Sequence, residues 1–181
     1  MSPQEVITFW FEESSPRQWF GKDENFDKEI SSRFLDTYQK VVSGETKEWR
    51  TTPEGRLAEI IVLDQFARNM FRDSPQAFAH DELALSLAQE AMQVGDDKKL
   101  DADKRYFMYM PFMHSESREV HRQAFWLFLS LPLKDWKSWT TFELKHKKII
   151  DHFGRYPHRN EVLGRVSTPE EIEFLKTNKG F

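Results

Sequence analysis

Prolines and glycines in this 181-residue chain stand where helices begin and end, and no other feature of the sequence restricts the fold as strongly. Residues 2–5 (SPQE) and 168–171 (TPEE) are capping boxes with a proline in the first helical turn. Between them, apolar residues recur every three or four positions, and alternating strand patterns are nearly absent. The sequence therefore predicts an all-α fold of about eight helices, packed as helical hairpins without a regular repeat.

Three helix boundaries in the second half of the chain matter for the candidate site. Pro111 is expected to end a helix that Asp101 caps, because proline removes a backbone donor and clashes with the preceding turn. Ser115 is then expected to cap the following helix. A longer helix is predicted from about residue 135 to residue 153, where Gly154 ends it.

The length and composition of the chain exclude several classes of protein. The chain has the length of one domain, predicted to span residues 1–181, and its 39% hydrophobic content can supply one core. It lacks cysteine, which excludes disulfides and thiolate metal sites, and its start lacks the basic and apolar regions of a signal peptide. A cytoplasmic protein is therefore expected. The net charge of −4 argues against a nucleic-acid partner, and no apolar run approaches the ~20 residues of a membrane span.

The third predicted helix, from residue 53 to about residue 72, is apolar on nearly all sides and is expected to be the buried central helix. Asp64 and Arg68 interrupt its strongest apolar stripe at i, i+4 spacing, and Arg72 follows one turn later. An unpaired charge in a core costs several kcal/mol, so these groups must find partners. The pair is either a structural ion pair or part of a ligand site.

The segment FGRYPHRNEVLGR, residues 153–165, concentrates positive charge. Four of its polar side chains stand in one turn-rich stretch, namely Arg155, His158, Arg159 and Asn160. The wider segment 145–165 contains six Lys and Arg against two acidic residues. Arginine forks suit bidentate capture of carboxylate or phosphate, and a neighbouring histidine can transfer a proton near neutral pH. The alternative is a solvated basic loop paired with acidic helices.

His146 is the polar member of an apolar face on the predicted helix 135–153. That face consists of Trp139, Phe142, His146, Ile149, Ile150 and Phe153. A single histidine in such a face is more often a core residue with a backbone partner than a catalyst. The basic segment that follows it in the chain favours the functional interpretation.

His114 and Glu116 lie at the predicted break between two helices, where side chains can converge on a ligand. Glu116 also fits ordinary charge complementarity in a first helical turn. His121 and His152 are expected to be exposed helix residues. Because no HExxH or comparable ligand spacing occurs, no metal site and no cofactor are predicted.

Five segments of the sequence together resemble one family. They are FWF (9–11), LDQFARNMFR (63–72), AFAHDELAL (77–85), YMPFMHSE (109–116) and HFGRYPHRNEVLGRVSTPEEIEFL (152–175). On these motifs the chain resembles domain-of-unknown-function family 924, a mainly bacterial family, over essentially its whole length. The resemblance implies a tetratricopeptide-like superhelix without regular sequence repeats, and it implies no activity.

These residues support three functional hypotheses. The first is a pocket for a small anionic ligand that carries phosphate or carboxylate, and enzymatic turnover at this pocket is left open. Its catalytic candidates are His114, His158 and Glu116, and its ligand-binding candidates are Asp64, Arg68, Arg72, His146, Arg155, Arg159 and Asn160. The second is a module that binds a peptide or protein partner in a concave groove. The third is a buried polar network that only fixes the helix register.

The hypotheses assign different roles to the same side chains. In the first, the arginines bind the anion, either His114 or His158 moves a proton, Asp64 orients an arginine, and Glu116 orients a histidine. In the third, replacing Arg159 by lysine lowers the stability of the protein and affects no ligand.

Overall fold

The computed structural model describes residues 1–178, apart from the side chains of residues 133–139. Trp139, assigned by the sequence to the apolar face of the long helix, is one of those side chains and lies outside the described residues. The described chain consists of helices and turns and contains no β-strand, which confirms the all-α prediction. Within the same residues, no helix combines the length and apolar character that crossing a bilayer requires.

The α-helices are, in chain order, α1 (Pro3–Thr8), α2 (Pro16–Phe20), α3 (Glu24–Ser43), α4 (Pro53–Ile61), α5 (Ala67–Met70), α6 (Asp81–Gln93), α7 (Ala102–His114), α8 (Arg118–Leu129), α9 (Leu133–Phe153) and α10 (Pro169–Leu175). A π-helical turn at Phe9–Glu13 extends α1, and a second at Val62–Phe66 joins α4 to α5. With these joined, the described residues form nine helices, against about eight predicted. The additional one is the short helix α2, which begins with the capping box of Ser15 and Gln18.

The described chain divides into two compact units. The first contains Met1–Arg72 and Gln76–Pro111, and the second contains Asp73–Pro75 and the chain from Phe112 onward. The division therefore falls inside α7. The single domain predicted from the chain length stays a prediction.

The continuous helix from α4 through α5 is the core of the first unit. It is contacted by α1, α3 and α6, and its side chains Leu57, Ile60 and Phe66 have no exposed surface. Burying a side chain of this size contributes about 1.5–3 kcal/mol relative to leaving it exposed. A helix with apolar residues on all sides needs neighbours on all sides, and the predicted buried central helix is confirmed.

The second unit is built on a helical hairpin. Helices α8 and α9 pack against each other, and Ala124, Phe128 and Ile150 have no exposed surface. Helix α9 ends at Gly154, whose φ of 71° is the left-handed conformation that glycine adopts without strain. The chain then forms a 3-10 turn at Pro157–Arg159, which α10 contacts. The tetratricopeptide-like superhelix stays a prediction.

The helix end expected at Pro111 is wrong. Helix α7 runs through this proline to His114, and the next helix is capped by Ser117 rather than by Ser115. Pro111 removes one backbone N–H from α7, and only three residues of the helix follow it. Phe112 directly after it has no exposed surface, so its packing favours continuation of the helix.

Candidate functional site

The polar residues of the central helix are paired within the first unit. Asp64 is 1% exposed, lies in the second π-helical turn, and has Oδ1 3.2 Å from an Nη of Arg68. The Arg68 guanidinium also donates to both carboxylate oxygens of Asp81, at 2.9 and 3.0 Å. A bidentate pair of this kind is among the strongest polar contacts in proteins.

Arg72 makes a second bidentate pair in the same unit. Its Nε and Nη donate to the two carboxylate oxygens of Asp27 at 2.6 and 2.7 Å, and the Asn69 amide donates to Asp27 at 2.8 Å. Burial acts to raise the pKa of Asp27, but the hydrogen bonds from Arg72 and Asn69 outweigh it and lower the pKa. The contact attaches α3 to the end of the central helix.

In the second unit, Glu116 fixes the turn that follows α9. Its Oε1 accepts the backbone N–H of Tyr156 at 2.8 Å and one Nη of Arg165 at 3.0 Å, and its Oε2 accepts the other Nη at 2.6 Å. Burial acts to raise the pKa of Glu116, but these hydrogen bonds and the charge of Arg159 outweigh it and lower the pKa. Glu116 thus holds a backbone amide and an arginine, whereas the first hypothesis gave it a histidine to orient.

Arg155 and Asn160 converge on Glu171 of α10. Arg155 donates to the two oxygens of this carboxylate at 2.6 and 2.7 Å, and the Asn160 amide donates at 3.2 Å. Asn160 is 1% exposed, so this part of the basic segment is not a solvated loop. These contacts attach α10 to the turn after α9.

Tyr156 lies at the centre of the remaining candidates and has no exposed surface. The guanidinium carbon of Arg159 lies 4.5 Å from the centre of its ring, and the rings of His158 and His146 lie 5.4 and 5.7 Å away. An Nη of Arg159 also donates to the backbone carbonyl oxygen of His114 at 3.1 Å. We name this group, consisting of His114, His146, Tyr156, His158 and Arg159, the Tyr156 cluster.

Burial and positive charge keep two imidazoles of the cluster neutral. The pKa of His146 is lowered to about 3 and that of His158 to about 4, in both cases mainly by burial and further by the charge of Arg159. Nδ1 of His146 lies 2.8 Å from the carbonyl oxygen of Phe142, which only accepts, so the proton is on Nδ1 and the lone pair on Nε2. His114 and His158 are partly exposed, so solvent reaches the cluster.

The sequence candidates omit several buried residues of the second unit, among them His121, Glu143 and Tyr156. The expectation that His121 is exposed is wrong, because it has no exposed surface and its Nδ1 lies 2.8 Å from Oε1 of the equally buried Glu143. The predicted face of α9 contained Phe142, which is 41% exposed, whereas Glu143 is buried. The signal for Glu143 was its i, i+3 spacing to His146, which places both on one helical face.

The sequence candidates therefore fall in two places. Asp64, Arg68 and Arg72 belong to the first unit, and the other candidates belong to the second. Among the residues that the structure describes, no three His, Asp or Glu side chains converge as metal ligands. A surface cavity of about 570 Å³ in the second unit lies between α9 and α10, away from the Tyr156 cluster.

Comparison with known proteins points to one family. The sequence matches, over residues 6–179, the family DUF924, described as bacterial protein of unknown function. A solved structure, that of the protein of unknown function ATU0120 from Agrobacterium tumefaciens, is similar with a TM-score of 0.90 and 35% identity, over 97% of each chain. None of the curated proteins with which the sequence was compared matches it.

Proposed function

The chain belongs to the DUF924 family of bacterial proteins of unknown function, and since that description names no activity, we propose a function from the geometry of the second unit. We propose that the Tyr156 cluster binds a small anionic ligand that carries a phosphate or carboxylate group. Arg159 supplies the positive charge, and the ring nitrogens of His114 and His158 supply hydrogen bonds beside it.

The observation that carries the proposal is the guanidinium of Arg159 lying over the Tyr156 ring, next to neutral imidazoles. Arg159 is 7% exposed, so its interaction with an anion is less weakened by water than that of a surface arginine. The ring restricts the guanidinium, which lowers the entropy lost when a ligand binds. A bidentate contact from such a group suits phosphate and carboxylate alike.

The electrostatics at His158 support the same proposal. The charge of Arg159 lowers the pKa of His158 more than the opposite charge of Glu116 raises it, so the potential at this ring is positive. An anion bound there reduces that potential. Because His158 is neutral at neutral pH, a proton transfer through His158 would begin with a proton leaving the ligand.

We assign three other candidate arginines to helix packing rather than to ligand binding. Arg68, Arg72 and Arg155 each donate two hydrogen bonds to a carboxylate of their own unit. An anion would have to displace that carboxylate and leave it without its partner. For these three residues we favour the hypothesis of a network that fixes the packing of the helices.

Calorimetry with inorganic phosphate at pH 7 tests the proposal. We expect Arg159→Gln to weaken phosphate binding by about 2 kcal/mol, or roughly 30-fold, because a charge-assisted hydrogen-bond donor is lost. Arg122→Gln is the matched control, since Arg122 belongs to the same unit and its side chain is 63% exposed. Wild-type affinity in Arg159→Gln, with an unchanged circular dichroism spectrum, would refute the assignment of the site.

A peptide- or protein-interaction module is the alternative, and it stays a prediction. Trp126 and Leu129 on α8 are 68% and 40% exposed, as a peptide-binding surface would require. A cytoplasmic location also remains part of the proposal, on the sequence argument alone.

A further inference from the structure

A chain of buried hydrogen bonds links α9 to Tyr156. Nδ1 of His121 lies 2.8 Å from Oε1 of Glu143, and Nε2 of the same ring lies 2.9 Å from the carbonyl oxygen of Ser115 and 3.1 Å from the hydroxyl of Tyr156. The Tyr156 hydroxyl donates to the carbonyl oxygen of Met113 at 2.6 Å. The three side chains have no exposed surface, which shields the contacts between them from bulk water.

The carbonyl oxygens of Ser115 and Met113 determine the positions of two protons in this chain of hydrogen bonds. A carbonyl oxygen only accepts, so Nε2 of His121 carries a proton and the Tyr156 hydroxyl points at Met113. One proton is left for the contact between Nδ1 of His121 and Glu143. It lies either on the carboxyl group, which leaves both side chains neutral, or on the imidazole, which makes a buried ion pair.

Burial places this proton on Glu143. Its Oε2 has no hydrogen-bond partner among the described residues, and a carboxylate with a bare buried oxygen is costly. Burial raises the pKa of Glu143 by more than the hydrogen bond of His121 and the charge of Lys147 lower it. A carboxylic acid that donates from Oε1 leaves only a neutral, carbonyl-type oxygen at Oε2.

Tyr156 extends this chain into the anion site. The Arg159 guanidinium lies over the Tyr156 ring, so the tilt of the ring sets where the guanidinium points. The hydroxyl end of the ring is fixed by its contacts with His121 and Met113. Groups that hold a ligand-binding side chain in one orientation commonly affect affinity without touching the ligand.

We propose that Glu143 and His121 are positioning residues of the anion site: the carboxylic acid of Glu143 donates a hydrogen bond to Nδ1 of His121, and this neutral pair holds Tyr156 beneath Arg159. The inference rests on the proposed function. Without the Glu143 donor, the imidazole can take the tautomer with its proton on Nδ1, and the Nε2 lone pair then faces a carbonyl oxygen. The ring of Tyr156 loses a fixed neighbour, and Arg159 meets the anion in several orientations.

Nitrogen NMR of His121 in the wild-type protein tests the proton placement without any substitution. At pH 7 we expect a pyrrole-type signal from Nε2 and a pyridine-type signal from Nδ1, which together mark the neutral ring with its proton on Nε2. Two pyrrole-type signals would mark an imidazolium, and they would overturn the neutral pair.

Two variants of Glu143 then separate positioning from packing. Glu143→Gln keeps a donor for Nδ1, so we expect phosphate affinity within about twofold of wild type. Glu143→Leu keeps most of the volume but no donor, and we expect affinity to fall about tenfold. Glu170→Leu is the matched control, because Glu170 meets His152 at the same 2.8 Å but at the surface, with the two side chains 70% and 56% exposed.

The outcomes distinguish the two proposals. If wild-type protein binds no phosphate, the proposed function fails and the positioning role fails with it. If wild type binds and Glu143→Leu binds equally well, only the positioning role fails. If Glu143→Leu does not fold, a tenfold loss in Glu143→Gln or an imidazolium signal from His121 still overturns the inference.

Discussion

At Glu171, four N–H groups converge on one carboxylate. Arg155 donates twice, the Asn160 amide once, and the backbone N–H of Thr168 once, at distances from 2.6 to 3.2 Å. The Arg155 hydrogen bonds are the main cause that lowers the pKa of Glu171 to about 2, from an ordinary value of 4.5. A group whose pKa is lower in the folded protein stabilises it above the ordinary pKa, and this contribution is lost as the pH falls towards the folded value.

The resulting prediction concerns Glu171→Gln. We expect it to lower the free energy of unfolding by about 2 kcal/mol at pH 7, because charge-assisted hydrogen bonds are lost. The difference from wild type should shrink as the pH falls from about 4.5 to about 2, where Glu171 itself becomes protonated. Urea unfolding at several pH values measures this.

Glu173→Gln serves as the control for that series, since the Glu173 side chain is on the same helix and 73% exposed. It should change the free energy of unfolding by less than about 0.5 kcal/mol. An equal loss at pH 7 and pH 2 in Glu171→Gln would contradict the account of this carboxylate.

The histidines show what the sequence reveals at the scale of a residue. His146 is recognisable because it interrupts an apolar face, and it is indeed 6% exposed. His121 shares a face with Ala124 and Phe128, both without exposed surface, but charged neighbours along the chain obscure that pattern. The partner of a buried histidine, here Glu143, comes from another helix, and local periodicity does not show which residues pair across helices.

Helix α4 starts in very close contact with the 3-10 turn Lys47–Thr51. A Cβ added at Gly55 would overlap the backbone carbonyl oxygen of Trp49, which cannot move as the end of a flexible side chain can. Gly55 is therefore needed for the approach of two backbones, and its φ is not in the left-handed region.

We expect Gly55→Ala to destabilise the protein by about 3 kcal/mol or more, because the start of the central helix must shift. Gly95→Ala is the comparison, since a Cβ there meets nothing within 4 Å and only the strain of a φ of 74° remains, at about 1 kcal/mol. Thermal unfolding of the two variants measures the difference. Equal effects would contradict the close backbone contact.

Most helix ends are predictable because their signals are local. The structure confirms three predicted helix ends, which are the capping boxes at residues 2–5 and 168–171 and the glycine after α9. Pro111 and the π-helical turn Val62–Phe66 are not predictable in this way, because packing of distant residues decides them. The π-helical turn contains Asp64, whose orientation in the core could not be derived from regular helix geometry.

For the whole molecule, the all-α class and the family follow from sequence patterns that run along the entire chain. The arrangement of the candidate site does not follow from such patterns, because its residues are distant from one another in the sequence. Glu116 and Tyr156 are 40 positions apart and meet through one hydrogen bond, and Arg159 reaches the backbone of His114 over 45 positions. Charge segregation along the chain indicates the basic segment, but it does not show that Arg155 pairs with Glu171 or that Arg165 pairs with Glu116.

The most direct test of the anion site is an NMR pH titration of His158 with and without sulfate, an anion whose charge stays constant over the range. Without sulfate we predict a pKa of about 4, and with sulfate a higher pKa, because a bound anion favours the imidazolium. The same pKa in both titrations would contradict the account, since no anion would then lie beside His158.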